Sequence, residues 1–148
     1  MNQPVALEVA RSLLQPTGAL GYLVARGPAW PPLDKCAEYK RAIGRVMGNA
    51  YCLLQPIWDE HPGLDPGSRF NRDPLGLESE PRPTEAAPAE LLPYLDEIQR
   101  TLHRLVSQML EDASIGRYKE FIEASAKDLG EAISQARSIL EDNATQST

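Results

Sequence analysis

The chain is 148 residues long, 42% apolar and 24% charged, and its 21 acids against 15 Lys plus Arg give a net charge of -6. That length suits a single domain able to bury a core without a disulfide or a metal, and the composition is that of a globular chain rather than a disordered one. The negative balance sets the chain against nucleic acid and anionic membrane surfaces, and no apolar run of about 18 residues is present to span a bilayer.

In chain order, Asn2 and Pro4 suggest a cap and first turn for a short helix to about Gln15, with Leu7, Ala10 and Leu14 on one face. The opening MNQPVALEVARSLLQ lacks a basic start, and Glu8 and Arg11 interrupt its apolar stretch, so a signal peptide is not expected and a cytoplasmic location is. Residues 17–26 read as a second short helix or an extended piece, the helix favoured because Thr17 can cap it and Gly27 can end it. GPAWPPLD then turns the chain towards Asp34, an expected N-cap, with Trp30 packed on the bundle.

Cys36, Tyr39, Ile43, Val46, Ala50, Leu53 and Ile57 recur at alternating spacings of three and four, which predicts a helix over about 34–60. Met47, Tyr51, Leu54 and Trp58 make a second stripe, so this helix is expected to be central and packed on both flanks. Gly44 and Gly48 read as the close approach of a neighbouring helix, and Pro56 as a kink in the last turn. Cys36 and Cys52 stand about 24 Å apart on such a helix, at about 1.5 Å per residue. A disulfide needs Cα atoms within about 7 Å, so two free thiols are expected, acting as small apolar core groups.

IWDEHPGLDPG, residues 57–67, holds a tryptophan, three acids and a histidine, and reads as a helix end. His61 meets the negative pole of the helix, and Pro62 and Gly63 stop it. A long Pro- and Gly-rich connection follows over about 61–87, the first place to look for an interaction surface. Leu91, Leu95, Ile98, Leu102, Leu105 and Met109 then predict a helix over about 88–112, with Pro88 in its first turn and Pro93 either kinking it or marking its true start. Ile122, Ala126, Leu129, Ile133, Ala136 and Leu140 predict another over about 114–141, capped by Ser114 and paired with its predecessor as an antiparallel hairpin. Residues 142–148 are expected to fray. The fold class is all-α, a helical bundle built on one central two-sided helix and a C-terminal hairpin, with one or two short N-terminal helices.

No residue set is assigned to catalysis, a cofactor or a metal. Asp59, Glu60, His61 and Asp65 do not match the H-E-x-x-H pattern, and no C-x-x-C pair is available for zinc. An EF-hand loop starting at Asp65 puts Phe70 where glycine is required and Gly76 where glutamate is. Cys52 falls beside the core face, His103 next to Arg104 on an exposed side, and the neighbouring acids Glu111 and Asp112 diverge around a helix. Lys40, Arg41 and Arg45 are balanced in part by Glu38, and Arg69, Arg72 and Arg82 by surrounding acids, so no basic aromatic face for nucleic acid emerges.

A rigid, acidic helical frame with a long polar connection points to a protein-binding module rather than an enzyme. In its general character the chain resembles the small acidic immunity proteins with which bacteria neutralise their own toxins, a resemblance of composition that rests on no motif. It implies a basic toxin domain as partner. Glu78, Glu80, Glu85, Asp96 and Glu97 are then candidates for long-range attraction, and Trp58, Leu75 and Leu77 for the apolar anchor. An adaptor acting through self-association or a helical partner, and a small helical-bundle enzyme, are the alternatives.

Overall fold

The three apolar stripes of the sequence all become buried faces of helices. The computed structural model describes residues 1–26, 33–65 and 88–146, and every regular element among them is helical. These are α1 (Gln3–Arg26), α2 (Leu33–Leu53), α3 (Gln55–Glu60), α4 (Pro88–Glu111) and α5 (Lys119–Gln146), with 3-10 turns at Pro62–Leu64 and Ile115–Tyr118. The chain is an all-α bundle. Trp30 and residues 66–87 lie outside the described residues.

One long N-terminal helix replaces the one or two short ones expected. Asn2 caps it as read, its Oδ1 accepting the Val5 N–H at 3.0 Å. Pro16, which lacks an N–H, sits inside α1 without ending it. Thr17 is the reason the cap reading failed: its hydroxyl bonds backwards to the Leu13 carbonyl at 2.6 Å instead of forwards to a new helix. A proline inside a helix costs about 3 kcal/mol. Ala6, Val9, Ala10, Leu13, Leu14 and Leu20 are buried on one continuous stripe across it, and burying a single leucine contributes about 1.5–3 kcal/mol.

The expected helix over 34–60 is divided at Leu54. Pro56 cannot donate to the Cys52 carbonyl, so α2 ends at Leu53 and α3 restarts with Pro56 in its first turn. The turn is held by Leu54 N–H to Tyr51 O at 3.2 Å and by the Trp58 indole N–H, which reaches the same carbonyl at 3.3 Å.

The long helices pack as a ring in which α1 touches α2 and α4, and α5 touches α2 and α4, leaving α1–α5 and α2–α4 as diagonals. Arg45 on α2 bonds Gln135 on α5, and Arg137 on α5 pairs with Asp96 on α4. The Met1 ammonium, at the start of α1, reaches Glu60 beyond the end of α2 and Asp112 beyond the end of α4. Neighbours are therefore antiparallel, and the topology is up-down-down-up. Asp65 and Pro88, the two points joined by residues 66–87, lie at opposite ends of the bundle.

Helix α2 is one wall of the ring, not its centre. Its inner face, Tyr39, Ile43, Val46, Ala50 and Leu53, is buried as expected, but the second stripe divides: Met47 is 38% exposed, whereas Leu54 and Trp58 become core where the chain turns into α3. Gly44 and Gly48 are exposed, and a Cβ on either would meet nothing within 4 Å, so no neighbouring helix approaches them. The hairpin stands as predicted in its stripes, with α5 beginning later, at Lys119, and remaining helical through Gln146 where fraying was expected. No glycine or proline interrupts it there.

Candidate functional surface

Three polar constructions sit on this frame. At the end of the bundle where α1 begins, the Met1 ammonium lies 3.3 Å from Glu60 Oε1 and 2.8 Å from Asp112 Oδ2. Asp112 Oδ1 accepts the N–H groups of Ser114 and Ile115, both at 3.0 Å. The ammonium and these two N–H donors hold the Asp112 carboxyl below its usual range, and Asp112 in turn raises the Met1 amino group above its own. Asp112 is thus the residue that organises the α4–α5 corner, a role the sequence reading gave to Ser114, whose side chain makes no cap bond. The signal was available: an Asp two residues before the expected cap is an Asx turn former.

His61 belongs to this end as well. It caps α3 through its backbone N–H to Ile57 O, while its ring reaches the Met1 carbonyl at 2.9 Å. A carbonyl only accepts, so Nε2 carries the proton. The described part of that cluster, IWDEHPGLD over residues 57–65, thus resolves into a helix end that also fastens the start of α1, with Asp65 accepting a hydrogen bond from the Tyr51 hydroxyl. Burial, then that bond, pushes the Tyr51 phenol up to about 12.

The second construction is a groove along the α2–α5 seam. It consists of two depressions of about 550 and 250 Å³ that share Arg45 and Gln135. Glu38, Arg41, Ala42 and Ile139 line the first, and Asn49, Asp128, Glu131 and Ala132 the second. Arg45 Nη1 donates to Gln135 Oε1 at 2.6 Å, so this arginine bonds across the seam to α5.

The third is a division of charge. Residues 88–146, which hold α4 and α5, contain eleven acids and six basic residues, whereas residues 1–26 and 33–65, which hold α1, α2 and α3, contain six of each. Glu97, Glu111, Glu120, Glu123 and Glu131 are exposed on the acidic half.

Of the residues proposed for partner binding, Glu97 is exposed and Asp96 is half-buried against Arg137. Trp58 is 2% exposed, packed with its ring centroid 5.9 Å from that of Tyr51, so its indole is a core group and unavailable as an anchor. Leu75, Leu77, Glu78, Glu80 and Glu85 lie outside the described residues. Cys52 is exposed rather than set against the core. His103 stands exposed on α4. Among the described residues no three His, Cys, Asp or Glu side chains converge as metal ligands, and no helix is long and apolar enough to cross a membrane. No family model, curated protein or solved structure matches the chain.

Proposed function

We propose that the chain is a non-catalytic binding module that engages a basic protein surface through the outer face of α4 and α5, the way an immunity protein neutralises a toxin. The observation that supports this is the charge division, since among the described residues the excess of acids falls on the α4–α5 hairpin while acids and basic residues balance in the rest. Such a field steers a basic partner towards that face and disfavours acidic ones. A bundle already rigid when free also loses little conformational freedom on binding.

The test compares the wild-type chain with a variant carrying Glu97→Lys, Glu120→Lys and Glu123→Lys as baits in native lysate at low salt. The reading expects a basic protein retained by the wild type, released as salt rises, and lost from the variant. Equal retention by both baits, or no basic protein on either, removes it.

A further inference from the structure

We draw no further inference here: the strongest candidate, the groove along the α2–α5 seam around the Arg45–Gln135 bond, is lined by arginines that are already engaged, and nothing in the structure shows what covers it.

Discussion

Gly116 and Gly44 are the same residue type in opposite situations. A Cβ on Gly116 would stand 2.5 Å from the Leu110 carbonyl oxygen, backbone that cannot move aside without opening the α4–α5 corner, whereas a Cβ on Gly44 meets open space. Gly116→Ala is therefore expected to cost about 1–3 kcal/mol through overpacking. Gly44→Ala is expected to gain up to about 1 kcal/mol of helix stability. Urea denaturation of the two variants reads both signs. At Asp112 the expectation depends on pH. Its carboxyl is depressed in the fold by the Met1 ammonium and by the Ile115 and Ser114 N–H groups, so its contribution is present above the ordinary carboxylate value of 3.8 and is lost as pH falls through the lower folded value. Asp112→Ala should cost about 1 kcal/mol near neutrality, a typical capping loss. The difference from wild type should close as the solution is acidified below pH 3.8. A gap that persists unchanged at low pH would show that the carboxylate charge is not what matters there.

At the scale of elements, the sequence reveals what repeats and hides what is decided by a single alternative bond. Each of the six residues of the α4 stripe from Leu91 to Met109 is buried, because a stripe sustained over about five turns leaves no other way to remove its apolar groups from water. The two prolines were harder to read. Pro16 and Pro56 each lack a donor, yet one is absorbed and the other breaks the helix. The deciding facts are the Thr17 hydroxyl on the Leu13 carbonyl and the Trp58 indole on the Tyr51 carbonyl, neither of which is a matter of periodicity. The exposed side of α2 was misread for a related reason, since Met47 extends a stripe whose other members are buried only after the chain turns at Leu54. The division at Leu54 leaves Cys36 and Cys52 together on α2, sixteen residues apart and far beyond disulfide reach at about 1.5 Å per residue. Thermal midpoints with and without reductant should therefore agree. Cys52 is exposed, and a native-state thiol titration should show a fast-reacting thiol that Cys52→Ser removes from the fast phase. A slow phase only, appearing as the chain unfolds, would place Cys52 back in the core.

For the whole molecule, the charge balance was legible as a total and not as a map. The sum of -6 says that the chain is acidic, but the ring order that sets α1 and α2 apart from α4 and α5 comes from packing. Of the surface proposed from sequence, Glu97 keeps its exposure and Trp58 loses it, because an aromatic next to a helix break can fold into the core where periodicity alone places it on a second face. The claim that the acidic hairpin captures a basic partner is tested most directly by the association rate with the protein recovered on the wild-type bait, measured across ionic strength. Long-range attraction sets the speed of encounter and is screened by salt. For the wild-type chain the rate should fall steeply, by tenfold or more, between low and physiological salt. For the Glu97→Lys, Glu120→Lys, Glu123→Lys chain it should start lower and fall less. Association rates that coincide for the two chains and do not change with salt would contradict the account.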